Sequence, residues 1–159
     1  MPAKVKPIPD GERAATPYLS VSNAAAMIDF YKKVFGAIET MRLKQPDGRI
    51  GHAQMTINGA SIMLADEFPE MGFLSPKSLG GARSPVSIHL YVENVDGVYK
   101  KALAAGATSL RAPADQFYGE RNAQVRDPSG HCWDISMRIE EVSPQEMQKR
   151  FDALTKRGG

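Results

Sequence analysis

Apolar positions along the chain recur with two alternating periods, and these periods lay out its elements. Residues 17–21 place Leu19 and Val21 on one side, the two-residue period of a half-buried strand. Met27, Phe30, Tyr31, Val34 and Phe35 then recur at helical spacing, with Ser22 and Asn23 as capping candidates before them and Gly36 after. Alternation returns at about 38–44, 50–57 and 61–66, predicting three more strands. A second series repeats this order. It has a strand at 86–92, a stripe of Val95, Val98, Tyr99, Ala102 and Leu103 followed by Gly106, and strands at 108–112, 120–126 and 131–137. Ser143, Pro144 and Glu146 make a capping box with proline at the first helical position. A helix is therefore predicted over about 144–156, docked through Met147, Phe151 and Leu154.

The two series look like a duplication. TPYLSV (16–21) is answered by SIHLYV (87–92), with Leu19 and Val21 matching Leu90 and Val92 at an offset of 71. DFYKKVFGA (29–37) meets GVYKKALAAGA (97–107), HAQM (52–55) meets NAQV (122–125) at an offset of 70, and NGASIML (58–64) meets SGHCWDI (129–135) again at 71. The predicted fold is α+β: two βαβββ modules, at about 14–66 and 86–138, forming a curved mixed sheet around a cavity within a single domain over 1–159. The connecting arm, 67–85, is rich in Gly, Pro and Ser and reads either as plain linker or as a lid carrying Phe68, Met71, Phe73 and Leu74.

Strand alternation also divides the residues between two faces. One face collects Leu19, Val21, Ala53, Met55, Ile57, Ile62, Leu64, Ile88, Leu90, Val92, Ala123, Val125, Trp133 and Ile135, a core to lie under the helices. The other collects Thr16, Tyr18, Ser20, His52, Gln54, Thr56, Ser61, Met63, Ser87, His89, Tyr91, Glu120, Asn122, Gln124, Arg126, Cys132, Asp134 and Ser136. An antiparallel sheet can leave such a face solvated. A solvated face is usually rich in Lys and Glu, however, whereas this one holds fixed donors, acceptors and rings, the composition of a ligand site.

Composition narrows the function classes. The chain has 159 residues, of which 42% are hydrophobic, which suits one core. Its net charge of +2 comes from basic residues spread along the chain, so no nucleic-acid partner is expected. No apolar run is long enough for a membrane span and the N-terminus lacks a signal-peptide stretch, so a cytoplasmic protein with no membrane partner is expected. The single Cys132 can form neither an internal disulfide nor a Cys-type zinc site by itself.

Two βαβββ modules, a PYLSVSN strand followed by an AMIDFYKKVFGA helix, and above all YGERNAQVRDPSGHCWDIS (118–136) resemble the vicinal oxygen chelate superfamily. This superfamily comprises glyoxalase I, extradiol dioxygenases, fosfomycin-resistance enzymes and bleomycin-resistance proteins. The resemblance covers about 16–138, and GHAQM, the YGER turn and EEVSPQEM are most similar to its PhnB-like branch. In metal-dependent members it implies four ligands, which fall by motif spacing on Thr16, Met63, Ser87 and Asp134. Only Asp134 suits a hard metal, so no cofactor is predicted. An alternative keeps a divalent metal at a relocated site of His52, His89 and Asp134 or Glu120. The same four residues are the candidate acid–base groups. His131 reads as turn surface, Cys132 as a buried filler, Arg121 and Glu120 of the YGER turn as a structural ion pair or backbone anchor, and Trp133 as packing.

Three readings follow. The first is a metal-independent binding protein, similar to antibiotic-sequestering members, whose small, flat or antibiotic-like ligand is lined by Tyr18, His52, Gln54, His89, Tyr91, Asn122, Gln124 and Asp134. The second is a lyase, isomerase or dioxygenase working through His52, His89 and Asp134 or Glu120. The third is an interaction protein with a collapsed cavity. The resemblance implies a homodimer in each.

Overall fold

The structure, a computed structural model, describes residues 5–12 and 15–156; the expected start of the first module at about residue 14 lies outside them. The chain divides into two compact units, Met1–Ala82 and Arg83–Gly159. Each contains one βαβββ module with its own four-stranded mixed sheet.

In the first unit β1 (Tyr18–Val21) leads into α1 (Ala24–Phe35), then β2 (Ile38–Lys44), β3 (Ile50–Ile57) and β4 (Ala60–Asp66). The strand order is β1-β4-β3-β2, with β1 parallel to β4 and the other pairs antiparallel. Asn23 caps α1 by accepting the Ala26 N–H through its side chain, and Gly36 closes the helix in the left-handed conformation. Asn58 and Gly59, both at positive φ, make the two-residue turn that joins β3 to β4. Met27, Ile28, Tyr31 and Val34 of α1 are buried, as are Leu19, Val21, Ala53, Met55, Ile57, Ile62 and Leu64 of the sheet. Each large apolar side chain so buried contributes about 1.5–3 kcal/mol.

The second unit repeats the plan with β5 (Ser87–Tyr91), α2 (Val95–Ala104), β6 (Thr108–Asp115), β7 (Glu120–Arg126) and β8 (Cys132–Arg138), in the order β5-β8-β7-β6. Asn94 caps α2 on the Gly97 N–H. Trp133 is buried and donates its indole N–H to the Asp127 carboxylate at 2.9 Å; the other oxygen of Asp127 holds the Ser129 and His131 amides, which fixes the turn before β8. Ile88 and Val92, expected in the core, are only half-buried.

The last helix, α3 (Pro144–Thr155), is capped by Ser143, whose hydroxyl accepts the Glu146 N–H at 3.2 Å. Its expected docking through an apolar stripe does not occur: no α3 residue is buried, and Met147, Phe151 and Leu154 stay 36%, 49% and 51% exposed. It is tethered instead by Arg150, which pairs with Glu140 at 2.8 Å and donates to the Phe117 carbonyl, and by a Phe117–Phe151 ring contact. Gly119 sits so close to the Glu140 carbonyl that a Cβ there would stand 2.5 Å from it, which is why the YGER turn needs glycine. No helix among the described residues is long and apolar enough to cross a membrane.

Candidate functional site

Strand register turns each polar face into rows of directly opposed residues. In the first unit one row reads Tyr18, Met63, Gln54, Met41 across β1, β4, β3 and β2. The row of the second unit reads His89, Asp134, Gln124, Arg111 across β5, β8, β7 and β6. The two rows are equivalent under the offset of 70 or 71 that relates the modules.

The first row is aromatic and soft. The Tyr18 hydroxyl lies 2.8 Å from His52 Nδ1, with the rings 5.5 Å apart. Partial burial pushes the Tyr18 phenol above its ordinary value, and which of the two groups donates depends on the imidazole tautomer. Phe73 meets the Tyr18 ring edge-on at 5.9 Å. The first part of the arm is ordered: Phe68 and Phe73 exchange two backbone hydrogen bonds around a 3₁₀ turn at Pro69–Met71, and the Arg49 guanidinium lies 4.3 Å from the Phe68 ring centre. Together Tyr18, Phe68, Met71 and Phe73, with Gln45, Gly51 and Ala65, line a cavity of about 490 Å³. Gln54 donates its side-chain amide to the Glu12 carboxylate. On the edge strand β2, Ile38, Met41 and Leu43 are 66%, 45% and 57% exposed.

The second row is ionic. Tyr91 donates to Glu120 at 2.5 Å, and this carboxylate pushes the phenol above its ordinary value. His89 packs edge-on against Tyr91, with ring centres 4.9 Å apart. Asn122 is buried, donates to the Ser136 hydroxyl at 2.5 Å, and accepts from Arg111. Gln124 accepts from Arg83 at 2.7 Å. Burial raises the Tyr118 phenol, against the opposing effect of a hydrogen bond with Arg111. One oxygen of Asp134 is buried and has no hydrogen-bond partner. A cavity of about 630 Å³ opens beside this face, between Tyr118, Glu120, Arg138, Glu140, Ser143 and Met147.

The four positions that motif spacing picks for a metal lie as follows. Met63 stands opposite Tyr18, not Thr16, which precedes β1; Asp134 stands opposite His89, while Ser87 faces Cys132. At these positions a thioether and two hydroxyls are poor donors for a divalent ion, and only the Asp134 carboxylate suits it. Among the described residues no three His, Cys, Asp or Glu side chains come together as metal ligands. Arg121 is an ion-pair residue, gripping Asp96 through two nitrogens and Asp115 through a third, whereas Glu120 is the acceptor for Tyr91 rather than the partner of Arg121. Cys132 is buried.

Comparison with known proteins places the chain among relatives of the same architecture. The sequence profile of the glyoxalase/bleomycin resistance protein/dioxygenase superfamily matches residues 13–135. The uncharacterised protein Rv0887c of Mycobacterium tuberculosis is 45% identical over 140 residues, covering 86% of this chain and 81% of its own length. The crystal structure of the Arabidopsis thaliana gene product At5g48480 is similar at 25% identity with a TM-score of 0.64, over 79% of this chain and 98% of that one. The fosfomycin resistance protein FosX of Listeria monocytogenes shares the fold at 17% identity with a TM-score of 0.61, over 87% and 97%.

Proposed function

The chain belongs to the glyoxalase/bleomycin resistance protein/dioxygenase superfamily, and from that premise we propose that it binds a small, flat, partly aromatic organic molecule without using a metal. The observation that carries this reading is the cavity of about 490 Å³ in the first unit, whose walls are Tyr18, Phe68, Met71 and Phe73. Rings and a thioether form a polarisable wall for a flat apolar ligand, and the volume suits a drug-sized molecule. FosX is named for resistance to an antibiotic, which supports a drug-like ligand class. The polar face of the first unit, with His52 and Gln54, supplies directional hydrogen bonds to this ligand, and that of the second, with His89, Tyr91, Asn122, Gln124 and Asp134, is a polar binding face of its own. Titration calorimetry with 2-naphthol tests the reading: saturable binding weakened by Tyr18→Ala and Phe73→Ala is expected, and equal binding to wild type and both variants refutes it.

The Tyr18–His52 hydrogen bond favours a second reading, an isomerase or lyase in which His52 takes a proton and Tyr18 returns one. Exchange of the α-hydrogens of phenylacetone in D2O, followed by NMR and abolished in His52→Gln, would support it; exchange at the uncatalysed rate would remove it. The reading includes a homodimer in the cytoplasm, in keeping with the exposed apolar residues on β2. Sedimentation at micromolar concentration checks the dimer.

A further inference from the structure

We propose that the polar face of the second unit is a receptor for the oxyanion of a small organic acid, a carboxylate or a phosphonate, held by Arg83 and Arg111. This names the ligand chemistry of one face and rests on the reading that these faces hold small molecules.

Arg42 pairs with Glu39, Arg49 with Asp47 and Glu70, Arg121 with Asp96 and Asp115, Arg138 with Glu141, and Arg150 with Glu140 and Glu146. Arg83 and Arg111 differ. Arg83 donates to the Gln124 amide oxygen at 2.7 Å, and Arg111 donates to the Asn122 amide oxygen and bonds the Tyr118 side chain. Among the described residues neither forms an ion pair with a carboxylate. A neutral acceptor orients a guanidinium without cancelling its charge, and about three or four of its five N–H donors remain available.

The tethers are themselves fixed. Asn122 and Gln124 lie two apart on β7 and so project from the same face, and Asn122 is locked by its bond to Ser136 at 2.5 Å. The two cations are thereby brought to neighbouring positions of one face before any ligand arrives, which lowers the ordering cost of binding. Two carboxylates share the face. Glu120 stands opposite Arg138 in register and accepts the Tyr91 hydroxyl, and Asp134 lies one strand beyond Gln124 in the row. Neither carboxylate pairs with Arg83 or Arg111 among the described residues, so neither guanidinium is capped by a carboxylate.

Calorimetry at low ionic strength with benzoate, phenylphosphonate and neutral benzamide tests this. At least one anion should bind saturably and more tightly than benzamide, with affinity falling as salt is added. Arg83→Met and Arg111→Met should each weaken the anion by about tenfold to a hundredfold, the range of a charge-assisted hydrogen bond. Gln124→Glu keeps an acceptor for Arg83 but cancels its charge, so it should weaken the anion by at least as much while leaving the thermal melt unchanged. The tighter of benzoate and phenylphosphonate identifies the acid. Benzamide binding as well as the anions would leave the ligand-binding face standing and overturn the anion assignment, as would anion affinities unchanged by all three substitutions. No binding of any probe would overturn both.

Discussion

The two units share one plan and differ in chemistry at the same places. Tyr18, Met63, Gln54 and Met41 occupy in the first sheet the positions that His89, Asp134, Gln124 and Arg111 occupy in the second. The corresponding glutamines show the difference most plainly: Gln54 turns its amide nitrogen to a carboxylate, Glu12, and Gln124 turns its amide oxygen to a guanidinium, Arg83. The buried faces did not diverge in this way, since Ala53, Met55 and Leu64 answer Ala123, Val125 and Ile135, all buried. Duplication has thus kept the apolar half of the alternation, which folding requires, and freed the polar half.

Substitutions in the shared half should have the largest effects. Trp133→Ala is expected to destabilise the protein by about 3–5 kcal/mol and Met55→Ala by about 2–5 kcal/mol in urea unfolding; a loss below about 1 kcal/mol at either would mean the cores are not equivalent. Replacing Tyr18 by Phe removes the bond to His52 at 2.8 Å, so a stability change of about 1 kcal/mol is expected. The corresponding substitution in the other row, His89→Gln, should leave 2-naphthol binding untouched. Spectrophotometric titration should find Tyr91 ionising above 10.0, and Glu120→Gln should lower that midpoint, since the carboxylate is the largest cause of the shift.

The smallest effect is at Glu39, where hydrogen bonds from Arg42 and Lys32 hold the carboxyl down from 4.5 to about 2. A folded-state value below the unfolded one means the pair stabilises the fold above about 4.5, and this contribution fades as pH falls towards about 2. Comparing wild type with Glu39→Gln in acid unfolding should show that part of the pH dependence disappearing.

The elements were legible because their signals are local. Asn23, Gly36 and Ser143 mark helix ends at the positions where they act, and two-residue alternation marks β3 and β7 without any partner. The rows were less so, because register is a property of pairs of strands: alternation put Tyr18 and His89 on the polar faces, and only pairing sets them opposite Met63 and Asp134. Arg111 was hidden by the irregular pairing of β6, whose register shifts on both sides of it break the alternation. Arg83, Phe68 and Phe73 lie in the arm, where Gly and Pro composition reads as loop, although Phe68 and Phe73 close a bridge there. The offset of 70 that relates Gln54 to Gln124 would also have carried Met41 to Arg111. The helical pattern of α3 was plain, but nothing in its stripe revealed that Arg150 would share the tethering with Phe151 while the stripe stayed exposed.

An NMR titration that follows backbone amides during addition of 2-naphthol and, separately, phenylphosphonate tests the divergence of the two units most directly. The account predicts saturable shifts at Tyr18, Phe68 and Phe73 with the neutral aromatic, and at Arg83, Arg111 and Gln124 with the anion. The same residues responding to both probes would contradict it.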